Sequence, residues 1–165
     1  MQTALSAPEN ALDDGERAFV ASIREHGWFR TSVLADDNQS GFSYTTGFWL
    51  TLGHPELIVF GLKSETTHAV LWDVFRDLKS GKRFPVRSRI ADLFGNHQAC
   101  LFPVDRANYP EHLGWSRWFY GGDEFPCLQL VWPDREGTFP WETGFDVMVG
   151  LQPDISEGGW GEFSS

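Results

Sequence analysis

A chain of 165 residues with 13 lysines and arginines against 23 aspartates and glutamates carries a formal net charge of −10. Nucleic acid and anionic membranes are held by positive charge that displaces counterions, so the charge argues against both as partners, whereas it suits a basic protein partner or simply solubility. The hydrophobic share of 41% and aromatic share of 15% are those of a folded chain, long enough for one domain with a sizeable core.

In chain order, residues 1–12 are small and polar, contain Pro8, show no periodicity and read as a loose leader. They have no basic start and no long apolar run, and no stretch approaches the ~20 apolar residues of a membrane span, so no signal peptide is expected and the cytoplasm is the expected compartment. Asp13 and Asp14 suit the positive end of a helix in which Phe19, Val20 and Ile23 share a face and which Gly27 ends. Trp28 to Leu34 is a strand by its aromatic and β-branched content. The turn-rich Ala35 to Gly41 returns the chain into a second strand, Phe42 to Trp49. Glu56-Leu57-Ile58-Val59-Phe60-Gly61 is a short apolar run between breakers, which suits a strand covered on both faces. Ser64 is the expected cap of a helix with Leu71, Val74, Phe75 and Leu78 at i, i+3, i+4 and i+7, and Gly81 is its stop.

Lys82 to Arg89 is a basic cluster with no aromatic platform after it, and reads as a solvated linker balancing nearby acids. A strand follows near Ala99–Val104, then helical turns within His112 to Tyr120, a break at Gly121-Gly122 and a last strand from Leu128 to Trp132. From Gln152 the chain is acidic and Gly-rich and reads as a mobile tail, with Trp160 and Phe163 as rings able to dock on the body. The organisation expected is a leader 1–12, one globular domain 13–152 and a tail 153–165, with no internal repeat. Cys100 and Cys127 lie in apolar strand-like surroundings and read as buried free thiols.

Most chemistry templates fail. His26, His54, His68, His97 and His112 do not pair with another His or a Cys at ligand spacing, so no metal and no cofactor is expected, a long-range site from His54 and His112 with a carboxylate being the alternative. There is no nucleophile elbow, Walker loop or dinucleotide fingerprint. Two acidic pairs remain, Asp123 with Glu124 and Asp134 with Glu136. A glycosidase needs two carboxyls about 5–10 Å apart across a cleft, which spacing along a chain cannot establish. Both pairs lie in Trp115–Trp141, which holds four of the eight tryptophans. Trp118, Tyr120, Trp132 and Trp141 make either a stacking platform for a ligand or an aromatic core with acids capping its turns. On Ser43-Tyr44-Thr45-Thr46-Gly47, alternation puts Tyr44 and Thr46 on one face, and Gly47 admits a ligand or another backbone.

Several segments together resemble a bacterial family, domain of unknown function 4262. They are Gly41-Phe42-Ser43-Tyr44-Thr45-Thr46-Gly47-Phe48-Trp49, the run from Gly53-His54-Pro55-Glu56 to Leu62, Trp118-Phe119-Tyr120-Gly121-Gly122, the run from Phe125-Pro126-Cys127 to Gly137, and Phe139-Pro140-Trp141. The similarity spans roughly Gly27 to Gln152. It implies a compact stand-alone cytosolic domain and supplies no reaction. The matched polar positions Tyr44, Thr46, His54, Glu56, Tyr120, Asp123, Gln129, Asp134 and Arg135 are thereby candidates to line one surface.

The expected fold is α+β, a mostly antiparallel or mixed sheet of about five or six strands with two main helices on one face. The expected function is a non-catalytic binding protein, immunity-like or adaptor, using an acidic, aromatic-rich surface toward a basic protein partner. Its binding residues would be Tyr44, Thr46, Trp49, Trp118, Tyr120, Asp123, Gln129, Trp132, Asp134, Arg135, Glu136 and Trp141. The alternative is a metal-independent small-molecule hydrolase or transferase, with His54, Tyr44, Tyr120 and Asp134 as catalytic candidates in one pocket. The sequence leaves the oligomeric state open.

Overall fold

The first long element starts where the acids lie. Asp13 accepts from the Glu16 amide at 2.7 Å while the Glu16 carboxylate accepts from the Asp13 amide at 2.9 Å, a reciprocal cap on α1 (Asp14–His26). Gly27, at φ 88°, ends the helix in the left-handed region. The computed structural model describes residues 2–37, 40–94, 97–147 and 151–160. The other strands and α-helices among the described residues are β1 (Phe29–Val33), β2 (Phe42–Thr46), α2 (Phe48–Leu52), β3 (Glu56–Phe60), α3 (Ser64–Lys79), β4 (Arg89–Phe94), β5 (His97–Pro103), α4 (Tyr109–His112), α5 (Gly114–Tyr120) and β6 (Cys127–Val131).

The six strands form one mixed sheet in the order β1-β2-β3-β6-β5-β4. Only β3 and β6 run parallel, with Glu56 opposite Cys127 and Val59 opposite Leu130; the other neighbours are antiparallel. The fold is α+β, as the sequence led us to expect.

Strand alternation sorts the core. Leu57 and Val59 of β3, with Leu128 and Leu130 of β6, meet Leu71, Val74, Phe75 and Leu78 of α3. Ile58 and Phe60, with Phe42 and Tyr44, meet Phe19 and Ile23 of α1 and Phe119 and Tyr120 of α5. The two main helices therefore cover opposite faces, not one. A central strand that is apolar on both sides needs a cover on both. A third cluster, Cys100, Phe102, Val131, Phe139 and Trp160, closes the face away from α3 further along the sheet.

Other departures have local causes. Strand β2 ends at Thr46, short of Trp49, because Gly47 turns at φ 118° into α2; a Cβ on Gly47 would lie 2.5 Å from the Gly27 carbonyl oxygen. The close approach there is another backbone. Ser64 is the first helical residue of α3 and not its cap; Lys63 stands at that position without a side-chain bond to the helix. The linker reading of Lys82–Arg89 holds only as far as Ser88, since Arg89 opens the edge strand β4. Its cations are engaged: Lys82 pairs with Asp92, and Arg89 with Glu142 at 2.9 Å.

Of the C-terminal segment, residues 151–160 lie against the body, with Trp160 docked as the sequence allowed. The Gln152 side chain pairs with the Trp132 backbone in both directions (3.0 and 2.8 Å), Gln129 Nε2 donates to the Pro153 carbonyl at 2.6 Å, and Val104 bridges to Ser156. Ile155 and Trp160 are buried; Phe163 lies outside the described residues. The leader carries two short 3-10 turns, Ala4–Ser6 and Glu9–Ala11, and Leu5 packs with the α1 side of the core.

Candidate functional site

Glu56 is the one charged residue in the run that becomes β3, and it is wholly buried. Its Oε1 accepts from Thr45 Oγ1 at 2.7 Å and the Phe48 amide at 3.1 Å; Oε2 accepts from the Gly47 and Trp49 amides, both at 3.0 Å, and from the Tyr120 hydroxyl. The carboxylate thus collects the otherwise unpaired first N–H groups of α2. Bringing a charge inside costs several kcal/mol. Hydrogen bonds to a charged group are worth about 1.5–3 kcal/mol each, so this donor set is of the size needed to hold it. Burial raises the Glu56 pKa, and the Tyr120 and Thr45 hydroxyls and the Trp49 and Gly47 amides work against that rise. Burial, and then the neighbouring carboxylate, push the Tyr120 pKa up. The cluster clamps α2 and α5 to the sheet.

The residues singled out in the sequence are distributed over several places. Trp49 and Tyr120 meet at Glu56, and Thr46 Oγ1 lies 2.6 Å from Ser116 Oγ on α5. Tyr44 is buried beside them; its hydroxyl accepts from the Trp115 amide at 3.0 Å, and burial raises its pKa. His54 is 5% exposed, with Nδ1 2.7 Å from the Pro55 carbonyl oxygen, and burial lowers its pKa. Asp123 pairs with Arg117 at 2.6 Å, and Gln129 is spent on the C-terminal segment. Of the four catalytic candidates Asp134 alone borders any of five main clefts among the described residues; Tyr44, His54 and Tyr120 line none of these five.

Asp134 is buried in the turn after β6. Oδ1 accepts from the Glu136 and Thr138 amides and Oδ2 from the Asp146 amide, each at 2.9 Å, and these donors, Asp146 first, hold its pKa below the ordinary carboxylate range. Such a carboxylate organises a loop and is a weak proton acceptor. Arg135 and Glu136 are exposed on the same turn.

The rings of Trp115–Trp141 are mostly turned inward. Trp132 is buried and donates Nε1 to the Phe60 carbonyl at 2.8 Å. Trp141 stacks on Phe139 at 4.8 Å, and Trp115 on Phe19 at 4.7 Å with Trp118 edge-on to both. Trp118 is half-buried and borders a shallow recess against the leader.

Two clefts share Gly61 and Leu62. One, of about 1030 Å³, is rimmed by Asp36, Asp37 and Glu111 over a floor that includes Phe60, Leu62 and Ile155. No lysine or arginine is among its described lining. The other, of about 550 Å³, is bordered by Lys63, Thr66, His97, Trp132, Asp134, Arg135 and Asp146. Sequence reasoning passed over Asp36, Asp37, Glu111 and Lys63 as sites, and no local signal marks them, since they come together only through the sheet. Glu56 did carry a signal, a lone charge heading an apolar strand.

Among the described residues no three His, Cys, Asp or Glu side chains gather to hold a metal ion, and no helix is long and apolar enough to cross a membrane. No curated protein and no solved structure matches the chain. A family model described as a domain of unknown function (DUF4262) matches residues 22–146, most of the chain. By that match, and in agreement with the segments quoted from the sequence, the protein belongs to the DUF4262 family.

Proposed function

We propose that the protein is a non-catalytic binding protein, immunity-like or adaptor, whose partner presents a basic segment to the acidic cleft. The observation that carries this reading is the composition of that cleft: Asp36, Asp37 and Glu111 above Phe60, Leu62 and Ile155, with room of about 1030 Å³. Carboxylates beside apolar surface suit a segment that alternates cationic and apolar side chains. The net charge of −10 adds long-range steering of a basic partner. Binding is favoured over catalysis because three of the four catalytic candidates are committed internally: Tyr120 to Glu56, Tyr44 to the Trp115 amide, Asp134 to three amides.

The test uses a fluorescein-labelled peptide of alternating lysine and leucine, followed by anisotropy. Binding should weaken as salt rises from about 50 to about 300 mM. It should also weaken by about tenfold or more in a triple variant, Asp36→Asn, Asp37→Asn and Glu111→Gln. Absence of binding, or an affinity indifferent to both changes, overturns the reading.

A further inference from the structure

The smaller cleft lies at the C-terminal ends of β3 and β6, the adjacent parallel strands. In open sheets, the space outside the carboxyl ends of parallel strands is where ligands are commonly taken. Gly61 and Leu62 follow β3 into it, and Trp132, Pro133, Asp134 and Arg135 follow β6.

Its cations stand out by what they do not do. Of the chain's thirteen lysines and arginines, all but three make a side-chain ion pair or hydrogen bond among the described residues. The three are Lys63, Lys79 and Arg135, and two of them line this cleft. A protein with 23 acidic residues does not leave cations unpaired for want of carboxylates. Asp134, a carboxylate bordering the cleft, has its oxygens occupied by the Glu136, Thr138 and Asp146 amides. Asp146 also borders the cleft, so a ligand there meets one further negative charge.

We propose that this cleft binds the oxyanion group of a small molecule, a phosphate or a carboxylate, between Lys63 and Arg135, with the Thr66 hydroxyl beside them and Leu62 and Trp132 as the apolar wall. A guanidinium meets such a group through two parallel N–H donors, and an ammonium adds a point charge, so the pair suits an oxyanion better than a halide. A volume of about 550 Å³ takes a small metabolite and not a polymer. The site does not rest on the basic-partner reading.

The experiment is a titration with inorganic phosphate, and in parallel with acetate, at constant ionic strength, read by amide chemical shifts of the labelled protein. Saturable shifts confined to Leu62–Thr66, Trp132 and Arg135 are expected, from phosphate, acetate or both, which tells a phosphoryl from a carboxyl group. The double variant Lys63→Ala, Arg135→Ala should weaken this by about tenfold or more. Both side chains are exposed and unpartnered among the described residues, so the variant should fold. Lys79→Ala, which removes the third unpaired cation from the far end of α3, should change nothing. No saturation by roughly 50 mM of either anion, an unchanged affinity in the double variant, or an equal loss with Lys79→Ala overturns the proposal. The double variant should leave lysine–leucine peptide binding intact, and the Asp36, Asp37 and Glu111 variant should leave phosphate binding intact, so the two sites stand or fall separately.

Discussion

The Tyr120 hydroxyl donates to the Glu56 carboxylate and accepts from the Leu50 amide at 3.3 Å, so one phenol ties α5 to α2 through a buried charge at the start of β3. This relationship explains why a glutamate stands in a strand that is otherwise apolar, and it makes Glu56 a residue of stability.

Glu56→Gln should therefore destabilise the fold. The amide keeps one acceptor oxygen and sets an NH2 group against backbone amides that have no other partner. Unpaired buried donors cost about 1–3 kcal/mol each, so a loss of roughly 3 kcal/mol or more is expected in urea unfolding. Tyr120→Phe should cost less, about 1–2 kcal/mol, because the carboxylate keeps its other donors. A Glu56→Gln protein as stable as the parent would contradict the clamp.

His54 sets a pH dependence. Burial holds its pKa below 6.5, so the folded state favours the neutral ring. As pH falls below about 6.5 the unfolded chain takes up a proton that the folded protein refuses. Its contribution is thus complete above that pH and declines toward the lowered folded value. Urea midpoints measured from about pH 7.5 down to about pH 5 should fall less steeply in His54→Gln than in the parent. Parallel curves would refute the assignment.

Gly61 joins β3 to both clefts. Its φ of 78° is strained for any other residue, and a Cβ there would lie 2.9 Å from the Leu151 carbonyl oxygen. Gly61→Ala should cost about 1–3 kcal/mol and push the C-terminal segment off the sheet. Faster amide exchange at Trp132 and Ile155, whose N–H groups are held by Gln152 and Gln129, is the expected readout. Exchange unchanged at both would count against the contact.

Much of the fold was legible because it is decided within a few residues. The acidic start at Asp13 and Asp14, the Phe19–Val20–Ile23 face and the Gly27 stop are spelled out in α1, as are the four apolar positions of α3. The apolar run of β3 already implied two covered faces, which is at odds with both helices lying on one, and the structure follows the strand. Strand β4 was not legible: it is an edge strand whose pairing with β5 defines it, and its basic neighbours resemble a linker. The early end of β2 depends on Gly47 meeting the Gly27–Trp28 backbone, a contact no window around Gly47 contains.

The sequence by itself determined the class of the fold, the ends of α1, the acidic charge and the family. Only the tertiary structure decided that Trp132 and Tyr120 face inward, that Asp134 binds its own loop, and that Asp36 and Glu111 share one cleft while Lys63 and Arg135 share another. Periodicity and capping are settled between residues a few positions apart. Whether a ring or a charge reaches solvent is settled by the distant segments that cover it, and here strands far apart in the chain, such as β3 and β6, lie side by side.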